Sequence, residues 1–178
     1  MKNMRSGSVF TAGAFALCAA AFILTITINN AEAPSPSESE TLSATEAAPA
    51  VRTLTVTAAG DCTLGTDINA DPDLGFDAYA EQYGTDFFFE NVRDIFSEDD
   101  LTIINFEGTL SDRGEREDKQ FAFRGDPSYV DILTGSSVEA ANLANNHSSD
   151  YGSVSLTDTQ QYLTDAGILT CRGEDNVT

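Results

Sequence analysis

The chain has 178 residues and a formal net charge of −20, from 29 acidic residues against nine basic ones. No Lys/Arg cluster offers the electrostatic footprint that nucleic acid requires, so a nucleic-acid partner is not expected. Of the three cysteines, Cys18 lies in an apolar N-terminal segment. Cys62 and Cys171 are too few for a disulfide scaffold, show no Cys/His zinc spacing, and are not paired by anything in the sequence.

Lys2 and Arg5 precede a run from Val9 to Ile28 that carries no charge. That run is long enough to span a bilayer, and residues 1–30 read as a signal anchor or a signal peptide. Ala31-Glu32-Ala33 resembles a cleavage site, with Pro34 a poor residue to follow the cut. Both readings put the rest of the chain outside the cytoplasm, attached to the membrane through an uncleaved N-terminal segment or secreted if the signal is cleaved. Residues 31–52 are Ala, Pro, Ser, Thr and Glu with few large apolar groups and read as a disordered linker. The folded body is expected over 53–178.

In the body, Leu54, Val56 and Ala58 alternate with threonines, a period-two strand that ends in Ala59-Gly60-Asp61-Cys62. Residues 66–85 read as a surface insertion. Phe87, Phe88, Val92 and Ile95 recur at helical spacing and predict a helix over about 86–97 whose phenylalanines read as core. Leu101 to Phe106 is an apolar run of strand length that ends at Glu107-Gly108. The charged loop 111–120 reads as solvated, and Phe121-Ala122-Phe123 as a short strand. Pro127 opens a helix to about Leu133, stopped by Gly135. A strand around Val138–Leu143 comes next. A further helix, capped by Asp150 or Ser153, presents Val154, Leu156, Tyr162, Leu163 and Ala166 and ends at Gly167. Ile168 to Cys171 is the last strand.

Strand–helix alternation predicts an α/β fold around a parallel or mixed sheet. Three polar clusters then share one property. Asp61, Glu107 and the pair Asn146-His147, which holds the only histidine, all lie just past the C-terminal ends of strands. Parallel strands bring those ends to one sheet edge, where ligands bind. Carboxylates, an amide and an imidazole there make a ligand set for a hard or borderline divalent metal. Each residue also has a plain structural reading: Asp61 and the asparagines as turn residues, Glu107 as a loop cap, His147 as a structural histidine.

Ala59-Gly60-Asp61-Cys62-Thr63-Leu64-Gly65, Ile104-Asn105-Phe106-Glu107-Gly108-Thr109-Leu110, and Asn142 through Gly152 with Asn145-Asn146-His147 and Asp150-Tyr151-Gly152 resemble, in order, three motifs of the CapA family of poly-γ-glutamate capsule biosynthesis proteins. Phe121-Ala122-Phe123-Arg124-Gly125-Asp126-Pro127 resembles the segment between the last two. The resemblance covers residues 53 to about 174. It implies a relative of the calcineurin-like metallophosphoesterases, an α/β/β/α sandwich with a two-metal centre. It implies Asp61, Glu107 and Asn146 as metal ligands, His147 as the acid that meets the substrate, Asn105, Asn145 and Asp150 in support, and Arg124 on the substrate. Two metals would activate water and His147 would protonate the leaving group.

The resemblance departs from the metallophosphoesterase pattern in two ways. Asp61-Cys62-Thr63 stands where an Asp-x-His is normal, and no later histidine motifs are present. The sandwich and the metal centre are therefore expected to be incomplete here, as in an N-terminal portion of a longer protein. The function expected is extracytoplasmic synthesis or export of poly-γ-glutamate beside membrane-embedded synthase components. A metal-dependent hydrolase of phosphoester or amide bonds is the alternative, and a non-catalytic extracellular module the third.

Overall fold

The computed structural model describes residues 21–29 and 51–172. Strand β1 (Ala21–Asn29) runs antiparallel to β2 (Val51–Cys62), which is followed by the parallel strands β3 (Leu101–Phe106), β6 (Ala140–Asn142) and β7 (Leu169–Cys171), giving the order β1-β2-β3-β6-β7. Two residues each form the small parallel pair β4 (Thr109–Leu110) and β5 (Arg124–Gly125). The helices are α1 (Phe76–Tyr83), α2 (Arg93–Glu98), α3 (Val130–Thr134) and α4 (Gly152–Asp165), with single 3-10 turns at Thr85–Phe87 and Pro127–Tyr129. The architecture is α/β, as the alternation of elements predicts.

Alternation explains β3 directly: Thr102, Ile104 and Phe106 are buried, while Leu101, Ile103 and Asn105 are half-buried on the other face. Ile104 and Phe106 join Ala141, Leu143, Phe96 of α2, Ile132 and Leu133 of α3 and Leu163 of α4 in one core. Each large apolar side chain so buried contributes about 1.5–3 kcal/mol. One close approach ties the small sheet to the end of β2. A Cβ on Gly125 would lie 1.9 Å from the Leu64 carbonyl oxygen, so only glycine lets these backbones meet. Thr66 and Arg124 exchange backbone hydrogen bonds beside it, at 2.9 and 3.2 Å.

Several sequence expectations shift. The body begins two residues before the expected boundary, because Val51 and Arg52 pair with Asn29 and Ile28. The end of the uncharged N-terminal run is strand β1; its Ile23, Thr25, Ile26, Thr27 and Ile28 are β-branched residues that favour extended backbone. Residues 1–20 and 30–50, the rest of the expected anchor and nearly all of the linker, lie outside the described residues. Among the described residues no helix is long and apolar enough to cross a membrane.

The surface insertion contains α1. The helix expected over 86–97 is a 3-10 turn and, after a break, α2. That break resets the phase, so Phe89 and Phe96 are buried while Phe87 and Ile95 are exposed. The strand expected at Phe121–Phe123 falls at Arg124–Gly125.

The buried face of α4 is Ser155, Thr159 and Leu163; of the apolar set expected, Leu163 is in the core and Leu156 packs against it, while Tyr162 is exposed. The hydroxyls are satisfied there: Thr159 Oγ1 donates to the Ser155 carbonyl (2.7 Å) and accepts from the Leu110 amide (2.9 Å). Neither Asp150 nor Ser153 caps α4; the N-cap position is Tyr151, with no side-chain cap. Gly167, at φ 83°, ends the helix as expected.

Candidate functional site

The polar cluster forms where β2, β3 and β6 end together. The register of β2 slips between Ala59 and Cys62, and Asp61 sits in the slip at φ 51°. That conformation is uncommon outside glycine, and aspartate is among the residues that tolerate it. The Glu107 amide donates to the Cys62 carbonyl at 3.0 Å, fastening the end of β3 to the end of β2.

Asn105 is the hub. Its Nδ2 donates to Asp61 Oδ1 (2.9 Å) and to Glu107 Oε1 (3.3 Å). Its Oδ1 accepts from Asn142 Nδ2 (2.9 Å) and Asn145 Nδ2 (3.2 Å). Asn105 and Asn142 are register partners on adjacent parallel strands, so their side chains share one face of the sheet. Two carboxylates thus rest on one neutral amide. Among the described residues no Lys or Arg forms an ion pair with either of them.

Asn145 connects this hub to the histidine. Its Nδ2 also donates to the Phe106 carbonyl (2.8 Å), and its Oδ1 accepts from the His147 amide (3.0 Å) and the Ser148 hydroxyl (3.0 Å). The adjoining turn is charged. Asp150 is fully buried. Its Oδ2 meets His147 Nδ1 at 2.9 Å and accepts from the Phe123 amide at 2.6 Å, and its Oδ1 accepts from Lys119 Nζ at 2.5 Å. Lys119 Nζ donates as well to the Asn146 carbonyl at 2.7 Å. The Phe123 ring packs on the imidazole, with centroids 4.8 Å apart. Since Nδ1 faces Asp150, Nε2 is the imidazole nitrogen left for other chemistry.

A cleft of about 700 Å³ opens beside Asp61, lined also by Phe76, Phe88, Val92 and Phe123; Asp61 is the only charged residue in its wall. Burial, with the neighbouring Asp61 carboxylate, pushes the Cys62 thiol up to about 12. With no metal beside it Cys62 is thus held as the neutral thiol, and both Cys62 and Cys171 are free thiols.

Oxygen donors on an uncompensated carboxylate pair suit a hard divalent cation. Their number does not suffice: among the described residues no three His, Cys, Asp or Glu side chains gather as a metal site.

The family model of the bacterial capsule synthesis protein PGA_cap matches residues 55–174, a span that contains every residue of this cluster. The chain belongs to the PGA_cap family. That family is metallophosphoesterase-like, in keeping with the α/β architecture. Two curated relatives, both described as probable polyglutamine synthesis accessory proteins, come from Mycobacterium tuberculosis strains CDC 1551/Oshkosh and H37Rv. Each is 41% identical over 70 residues, 39% of this chain. The match spans 18% of each relative, less than a fifth of its length.

Of the residues singled out in the sequence of this PGA_cap protein, Asp61, Asn105, Glu107 and Asn145 meet in one network, and His147 and Asp150 adjoin it. Asn146 is exposed and takes no part in the Asn105 hub. Arg124 stands apart. It lines a separate cavity of about 340 Å³ with Asp67 and Asp126. Its guanidinium lies 3.7 Å over the Tyr151 ring centroid and donates to the Arg113 (2.7 Å) and Gly114 (2.9 Å) carbonyls.

The loop 111–120, expected to be solvated, is held by ion pairs. Arg113 meets Asp158, Arg116 meets the buried Asp67 through two hydrogen bonds (2.7 and 3.1 Å), and Lys119 meets Asp150. The Arg116 guanidinium holds the Asp67 carboxyl well below the usual carboxylate range. Lys119 and Asn142 are the site residues that sequence reasoning missed. A signal existed for Lys119: it is the only lysine after Lys2 in a chain of this acidity.

Proposed function

We propose that this protein serves capsule biosynthesis as an extracytoplasmic accessory of poly-γ-glutamate synthesis or export, working through a divalent cation held at the sheet edge. Membership of a capsule-synthesis family and the accessory role ascribed to the two relatives support the process; Lys2 and Arg5 before the uncharged residues 9–20, the part of the run outside β1 and of signal-sequence length, support the location. The observation that carries the cation is the Asp61–Glu107 pair, two carboxylates on one neutral amide without a cationic partner among the described residues. Asp61 and Glu107 would hold the ion, with the exposed Asn146 side-chain amide oxygen offered by the histidine turn and further ligands coming from outside residues 51–172. The cleft wall carries no positive charge, so a polyanion would meet this edge through the cation and not directly. Membrane-embedded synthase components are the partners this reading implies.

The test is calorimetric titration of chelator-treated protein with Mn²⁺, Mg²⁺ or Zn²⁺. The expected result is saturable binding that Asp61→Asn abolishes; at one hundred times Kd the ion would add about 2.7 kcal/mol to stability. Equal binding by wild type and Asp61→Asn would overturn the site.

A second reading, hydrolysis of a phosphoester or amide bond, is favoured by one observation: His147 is held through Nδ1, leaving Nε2 to carry a proton to a leaving group. The bound ion would supply Lewis acidity. Capsule loss on deletion, restored by His147→Ala, would support the accessory role over hydrolysis.

A further inference from the structure

We propose that Lys119 is a positioning residue for His147. Acting through the Asp150 carboxylate, it holds the neutral imidazole with its proton on Nδ1, so that Nε2 is the nitrogen that takes up and releases a second proton. The proposal rests on the reading of His147 as a functional group but not on metal binding.

Asp150 is fully buried and takes three partners: an ammonium, a backbone amide and an imidazole nitrogen. A carboxylate offers only acceptors, so the nitrogen facing it must carry the hydrogen. Of the three partners only Lys119 brings a permanent charge, and without one a buried carboxylate is costly. The ammonium also reaches the Asn146 carbonyl, clamping the turn at both ends of the segment that carries His147. Lys119 comes from a loop far away in sequence, itself anchored by Arg116 on Asp67 and Arg113 on Asp158. The charged loop is therefore a brace for the histidine turn. The pairing also explains why Asp150 does not cap α4: both of its oxygens are engaged elsewhere.

Because His147 is the only histidine, a protein made without a histidine tag gives one set of imidazole signals. Long-range ¹H–¹⁵N correlation spectra of the ¹⁵N-labelled full chain at pH 8.5 read the tautomer directly. Wild type is expected to show a protonated Nδ1 and an unprotonated Nε2. Lys119→Arg is expected to keep that pattern, and Lys119→Met to lose it while the far-ultraviolet circular dichroism stays native. A wild-type spectrum with the proton on Nε2 would overturn the proposal, a result that needs no variant to fold. So would a native-like Lys119→Met with the wild-type pattern. No turnover or cation enters the measurement, so a failed metal titration leaves this result standing, and the reverse holds too.

Discussion

The two ends of the polar cluster hold their carboxylates on opposite terms. At the strand ends, Asp61 and Glu107 share the neutral NH₂ of Asn105. In the turn, Asp150 has an ammonium, an amide and an imidazole to itself and is closed to solvent. A compensated buried carboxylate is a structural fixture, and removing it leaves its partners stranded. A pair of carboxylates facing one neutral donor stays short of positive charge and is therefore open to a cation. The same side-chain chemistry thus serves positioning at one end and reception at the other, and the difference lies in the neighbours.

Three substitutions probe that contrast. Asp150→Ala should be the most damaging, because it leaves Lys119 and His147 facing an empty buried site. A loss of about 3 kcal/mol in urea unfolding is expected. A loss comparable to that of a surface mutation would erase the distinction between the two ends. Asn105→Ala comes next. It removes the donor to both carboxylates and the acceptor for Asn142 and Asn145, for an expected loss of about 1–2 kcal/mol by the same measurement. Glu107→Gln should be the smallest. With chelator present, stability should hold within about 0.5 kcal/mol, because a like charge is removed and no ion pair is lost. A drop as large as that of Asp150→Ala would show that Glu107 is compensated after all. Sharpening the contrast further, added Mn²⁺ should raise the melting temperature of Asp150→Ala but not that of Glu107→Gln.

How far the sequence could be read differs between the same two regions. The strand-end cluster was legible because period-two patterning marks where β2 and β3 stop, and parallel strands stop at one edge. Asp61 and Glu107 follow from local pattern alone, and the motif resemblance adds Asn105 and Asn145 in support of them. The brace was not legible. Lys119 meets Asp150 across 31 positions, and Arg116 meets Asp67 across 49, pairings no window of sequence displays. Asp150 looked like a helix cap because Asp before a helix usually is one. The distant lysine claimed it instead. Arg124 looked like a substrate residue, yet stacking on Tyr151 and two backbone carbonyls hold it at another cavity. Helix phase failed for a related reason. A turn between Phe87 and Arg93 breaks the 3.6-residue count, so Phe89 and Phe96 became core in place of Phe87 and Ile95.

By itself, then, the sequence determined the α/β class, the order of strands β2, β3, β6 and β7 with helix α4 before the last, the polar residues at the strand ends and the family those motifs resemble. All of these are encoded in short stretches of chain whose periodicity and turn chemistry act locally. Tertiary structure alone decided which carboxylates are neutralised, which nitrogen of His147 faces outward and which side of α4 is buried. Those outcomes depend on which distant residues compete for the same oxygen or the same space, and that competition exists only once the chain has folded.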